Sequence, residues 1–120
     1  MQAPLKSADS LFDIEIPTRF HKPIRTGNCM SVVKRGRRDY RLGNNTAGCS
    51  LTGEGLNIEI TTLRICRVAA LHMGDAKASG FRSESDLKVF LKSVYEDLGP
   101  DDEVTQVHFR WHGDIKRTVT

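Results

Sequence analysis

Apolar and polar residues first alternate with a period of two. In SLFDIEIP, residues 10–17, Phe12, Ile14 and Ile16 alternate with Leu11, Asp13 and Glu15. That pattern predicts a half-buried strand ended by Pro17. TRFHKPIRTG, with its proline and closing Gly27, is too short for a long helix and predicts a helical turn near 18–26, with Phe20 and Ile24 inward. CMSVVKR, residues 29–35, is β-branched enough for a second strand. Residues 36–55 contain five of the ten glycines and few large apolar side chains, and predict a long glycine-rich loop. Structureless loops of that length are uncommon in a small domain, so short strands are expected inside it, around Tyr40–Leu42 and Cys49–Leu51.

The longest strand signal is LNIEITTLRICRVAAL, residues 56–71. Its apolar phase runs Leu56, Ile58, Ile60 and then slips to Leu63, Ile65. Side chains alternate faces, so the slip predicts a bulge at Thr61–Thr62, as a curved sheet requires. A short linker then leads to one amphipathic helix at about residues 84–97. Leu87, Phe90, Leu91, Val94, Tyr95 and Leu98 form one stripe, Ser83 stands at its N-cap, and Gly99-Pro100 stops it. EVTQVHFRWHGDI closes the chain's pattern as a strand. Val107, Phe109 and Trp111 face one side; Gln106, His108, Arg110 and His112 face the other. Strands around one helix with no βαβ repeat predict an α+β fold, a small mixed β-barrel, as a single domain over residues 1–120 with residues 1–9 flexible.

Composition changes this picture little. The chain is 120 residues, 38% hydrophobic and 28% charged, as expected of a soluble domain. No apolar run reaches membrane-spanning length and the N-terminus has no secretory core, so a cytoplasmic protein without membrane contact is expected. Cys29, Cys49 and Cys66 are odd in number and lack C-x-x-C spacing, which argues against a disulfide framework or zinc site. His108 and His112 read as strand-face residues, so neither a metal nor a cofactor is expected.

Charge matters more. Arg19, Lys22, Arg25, Lys34, Arg35, Arg37, Arg38 and Arg41 stand against Asp39 alone in residues 19–41, a local net of +7. Residues 84–103 hold seven carboxylates against Lys88 and Lys92, a net of −5. Such polarity can present a basic face to a polyanion while the opposite face repels it. Arginine forks match phosphate oxygens, and Tyr40 beside them can stack on a base. RNA fits better than duplex DNA, because no helix-turn-helix or basic recognition helix is present.

Five segments taken together resemble the ASCH domain, a relative of the PUA domain. They are HKPIRTGNCMSVVKRG, IEITTLRICRVAAL, GDAKASGF, SESDLKVFLKSVY and VTQVHF, spread from Phe20 to Arg110. The resemblance implies a PUA-like β-barrel with flanking helices and recognition of RNA or a nucleotide. Some members of that family resemble amidohydrolases acting on acetylated cytidine, in which a lysine, a threonine and a downstream glutamate cooperate. This chain departs from that pattern. The lysine's place falls at Asn28 or Cys29, the threonine's at Ser31 or Val32, and the glutamate's near Ser79; the motif's terminal basic residue has a counterpart in Lys34. A binding domain without catalysis is therefore expected, with Cys29, Ser31 and Ser79 as pocket residues. A Cys29 nucleophile would need a base, and no His, Asp or Glu is adjacent in sequence. The alternatives are a nucleoside amidohydrolase and a protein-interaction module that docks an oppositely charged partner.

Overall fold

The computed structural model describes residues 11–115. The expected flexible segment, residues 1–9, lies outside the described residues. In chain order come β1 (Ile14–Glu15), a 3-10 turn (Thr18–Phe20) that runs into α1 (His21–Arg25), β2 (Ser31–Arg35), β3 (Gly43–Cys49) and β4 (Glu54–Arg67). A second 3-10 turn (Val68–Ala70), α2 (Met73–Ala78), α3 (Glu84–Val94) and β5 (Glu103–Asp114) follow. The five strands form one mixed sheet in the order β1-β3-β4-β5-β2, with β1 parallel to β3 and every other pair antiparallel. The sheet curls into a half-barrel. Its two outermost strands approach closely enough for the Lys34 ammonium on β2 to donate to the Glu15 carbonyl on β1.

The curl depends on the long β4–β5 ladder, whose register shifts between Leu56 and Ile58 and again between Ile60 and Thr62. The second shift is the expected bulge. Ile58 and Ile60 remain inside the curl before it, and Leu63 returns to the inner cluster after it. Two apolar clusters result. One fills the half-barrel with Ile14, Ile16, Phe20, Ile24, Val32, Leu56, Ile58, Ile60, Val107 and Phe109. The other lies between the sheet and α2–α3, built from Val33, Val68, Leu71, Ala76, Leu87, Leu91, Leu98 and Val104.

Several expectations require correction. The first strand pairs only at Ile14 and Glu15, with Ile16 N–H adding a bond to Gly48 O. Asp13 before it is held by side chains instead, its carboxylate accepting from Thr46 N and Oγ1. Residues 36–55 are not a long loop, because β3 occupies Gly43–Cys49 and β4 starts at Glu54. The strand also misses both places expected for short strands, Tyr40–Leu42 and most of Cys49–Leu51. Its composition is poor in apolar residues because Phe12 supplies the bulk. A Cβ added to Gly48 would lie 2.7 Å from the Phe12 ring, so only glycine lets that ring lie across the strand.

The expected linker before α3 contains α2. Asp75 closes its first turn by accepting from His72 N, while His72 Nδ1 accepts from Gly74 N. α3 is capped as expected, Ser83 Oγ accepting from Asp86 N at 3.0 Å. It ends at Val94 rather than 97, because Tyr95 leaves helical geometry (φ −125°, ψ 81°). Leu87 and Leu91 are buried, Phe90 is half-buried, and Val94 is exposed, so the packed stripe is narrower than expected. Gln106, expected on the polar face of β5, is fully buried, its amide bonded to Ser31 and Arg64.

Candidate functional site

The free edge of β2 and the face of α3 enclose a partly open cavity of about 70 Å³. Glu15 and Pro17 border it from the β1 side, Ser31–Lys34 from β2, and Ser79 and Phe81 from the segment after α2. Phe20, the α3 side chains Leu87, Phe90, Leu91 and Val94, and Tyr95 just past the helix complete the lining. Phe20, Phe81 and Phe90 pack as a trio, with ring centroids 5.3–6.0 Å apart and edge-on or tilted planes. These geometries are favourable for aromatic pairs.

Its polar side is a connected chain. Ser31 Oγ and Ser79 Oγ share a hydrogen bond at 2.7 Å, and Gln106 Nε2 donates to Ser31 Oγ at 3.1 Å. Arg64 Nη1 reaches Gln106 Oε1 at 3.3 Å and pairs with Asp75 Oδ1 at 2.9 Å. Asp75 also accepts from His72 N. The buried hydroxyls are thus oriented by an amide that is itself fixed by an ion pair. Lys34 brings an amine to the same cavity. Burial, reinforced by Arg38 and opposed by Glu15, lowers its pKa to about 8. The Glu15 carboxylate is occupied elsewhere, accepting from Ser50 N at 2.7 Å and Ser50 Oγ at 2.8 Å.

The structure joins two of the three expected pocket residues. Ser31 and Ser79, 48 positions apart, meet directly. Cys29 is buried beside them and donates to Ser31 O at 3.3 Å, but it is not part of the lining. Burial raises its pKa to about 11, so the thiol stays protonated and is a poor nucleophile. Asn28, exposed, bonds to Thr26. The amine in the cavity comes from Lys34, which was expected to be a phosphate contact. Gln106, Arg64 and Asp75 were missed because each looks like an ordinary solvent-facing residue until Arg64 on β4 links Asp75 on α2 to Gln106 on β5.

The basic strip is distributed differently from the expectation. Arg25 pairs with Asp114 at 2.9 Å, Arg35 with Asp97 at 2.7 Å, and Arg37 with Glu103 at 2.9 Å. Segment 84–103, expected to form a separate repulsive face, thus supplies counter-ions to the basic one. Arg38 Nε donates to Arg35 O and Arg41 Nη2 to Asn44 O. Tyr40 packs partly buried against the inner core. Lys22 is exposed, and Arg19 lies over the Phe20 and Phe90 rings at 4.9 and 5.1 Å.

Among the described residues, no group of three or more His, Cys, Asp or Glu side chains stands together as a metal site, and no helix is long and apolar enough to cross a membrane. No protein-family model matches the chain, and no curated protein matches it. Solved structures do. Protein EF3133 from Enterococcus faecalis V583, of family DUF984, superposes with a TM-score of 0.70 at 9% identity, over 85% of this chain and 77% of that one. An ASCH domain from Lactobacillus crispatus JV V101 superposes with a TM-score of 0.61 at 15% identity, over 82% and 80%. With its five-stranded curled sheet and short helices, the chain has the PUA-like α+β fold of an ASCH domain.

Proposed function

We propose that the protein binds RNA or a nucleotide by seating one base in the cavity between β2 and α3, without catalysing a reaction on it. The observation that carries this reading is the meeting of Ser31, Ser79 and Lys34 with an aromatic wall of Phe20, Phe81 and Phe90 in one recess. Unpaired bases are recognised by stacking on such rings and by hydrogen bonds to their edges. Two hydroxyls and an amine offer both donors and acceptors for a base edge. The volume, about 70 Å³, is small beside the ~300–1,000 Å³ of drug-sized pockets, and suits one flat ring with its sugar outside. The ASCH domain it superposes on is consistent with this reading.

The same geometry disfavours catalysis. The groups that acyl chemistry would need each have a hydrogen-bond partner already, or, for Cys29 outside the lining, stay protonated. Ser31 and Ser79 bond each other, Glu15 holds Ser50, Lys34 donates to a carbonyl, and the Cys29 thiol stays protonated. Among the described residues no His, Asp or Glu is hydrogen-bonded to either serine hydroxyl, and the Lys34 amine donates to the Glu15 carbonyl instead.

The test fills the mouth of the cavity without disturbing the core. Val94 borders the cavity yet is 51% exposed, so Val94→Trp can occupy the opening while leaving the packing beneath intact. Binding of short single-stranded RNA should fall by at least about tenfold, the loss of one stacked base. Lys88→Met/Lys92→Met, on the helix away from the cavity, should bind as the unchanged protein does. Equal binding by Val94→Trp would contradict the reading. Incubation with acetylated cytidine should give no product above background, and turnover abolished by Ser31→Ala would restore an enzyme.

A further inference from the structure

The aromatic trio has a second side. Phe81 and Phe90 also line a groove of about 420 Å³, with Arg19, Gly80, Arg82, Asp86, Val89 and Ser93 around it. The two recesses therefore share a wall. Arg19 lies against that wall, its guanidinium over both Phe20 and Phe90. No ion pair or hydrogen bond engages Arg19 or Arg82 among the described residues, in contrast to Arg25, Arg35, Arg37 and Arg64. Lys22, Lys77, Arg67 and Arg110 are likewise exposed, but do not line this groove.

We propose that this groove is a phosphate subsite, in which Arg19 and Arg82 hold the phosphate of a nucleotide whose base occupies the adjoining cavity. The proposal rests on the base-binding reading above and specifies its ligand class: a nucleoside phosphate, free or within an RNA strand, rather than a bare nucleoside. Stacking on the two rings leaves the Arg19 fork edge open for phosphate oxygens, which guanidinium groups grip in pairs. Arg82, next to Phe81 in sequence, lines the same groove and brings a second guanidinium to it. Asp86 also lines the groove, and its charge opposes an anion there. It therefore provides a second, opposite test.

The experiment measures binding of four ribonucleosides, their 5′- and 3′-monophosphates, and a short single-stranded RNA to the full chain. The monophosphates should bind at least about tenfold more tightly than the nucleosides, as charged hydrogen bonds to a phosphate imply. In Arg19→Met/Arg82→Met, where the methionine still covers the rings, that preference should disappear, and the RNA salt slope should flatten by about 1.4 for two lost contacts. Arg67→Met should keep both. Asp86→Asn should tighten the monophosphates and the RNA but not the nucleosides, which holds even if the arginine variants fold poorly. Nucleosides that bind as well as monophosphates, or an unchanged preference in the double variant, would overturn the phosphate subsite and leave the base cavity standing. No binding by any probe would overturn both. RNA bound more tightly than the monophosphates, with the monophosphates still preferred over the nucleosides, would identify a strand rather than a mononucleotide as the source of the phosphate.

Discussion

The buried Lys34 amine has a cost in stability that depends on pH. Its amine sits where water is scarce, at the seam of the curled sheet, and burial lowers its pKa from 10.5 to about 8. The unfolded chain therefore holds this proton more tightly than the native one. Below pH 8 both states are protonated and the native state carries the full cost of a buried charge. As pH rises from about 8 to 10.5 the native state loses its proton first, and Lys34's contribution to stability becomes less unfavourable. Stability of the unchanged protein should thus rise relative to Lys34→Met across that interval, by up to about 3 kcal/mol for the full shift. Paired denaturation curves at pH 7 and pH 10 measure it, and a constant difference would show that Lys34 is not a buried charge. Of this site, Ser31 and Ser79 were legible in sequence through the resemblance. Lys34's role was not, because a basic residue after two valines reads as surface charge until the opposite edge of the sheet closes over it. Gln106 was hidden for a similar reason, since period-two alternation marks a face without saying whether that face is covered.

At the scale of elements, α3 was the most legible and β3 the least. A capped, single-striped helix announces itself through a period that its own sequence carries. Leu91, almost wholly buried between α3 and the sheet, should cost about 2–5 kcal/mol when changed to alanine. The neighbouring Val94→Ala, at an exposed position, should cost little by comparison. Equal losses in thermal melts would contradict the packing of α3. β3 was illegible because its bulk is contributed by Phe12, more than thirty positions away. Replacing Gly48 by valine places branched methyls into that ring and against the backbone, and should destabilise by more than about 1 kcal/mol, as overpacking does. A melting temperature equal to that of the unchanged protein would mean that the strand does not lie against Phe12.

For the whole molecule, the sequence showed two charge blocks but not their meeting. Arg35 over Tyr95 and bonded to Asp97, and Arg37 bonded to Glu103, tie β2 and the segment after it to the acidic stretch that runs into β5. Arg35 holds the Asp97 carboxyl below its ordinary pKa. Contact order along the chain cannot reveal such a pairing, since the partners lie 62 and 66 positions apart. The consequence is functional. Arginines already matched by carboxylates offer a weaker field to a polyanion than their count suggests, while the cavity and the groove behind its aromatic wall offer shape as well as charge. Amide chemical-shift mapping during titration with a short single-stranded RNA tests this distinction most directly. Base binding in the cavity predicts shifts concentrated at Ser31–Lys34, Ser79–Arg82 and Phe90–Tyr95, on both sides of the Phe81–Phe90 wall. Shifts confined to residues 35–41, with the cavity residues unmoved, would contradict it.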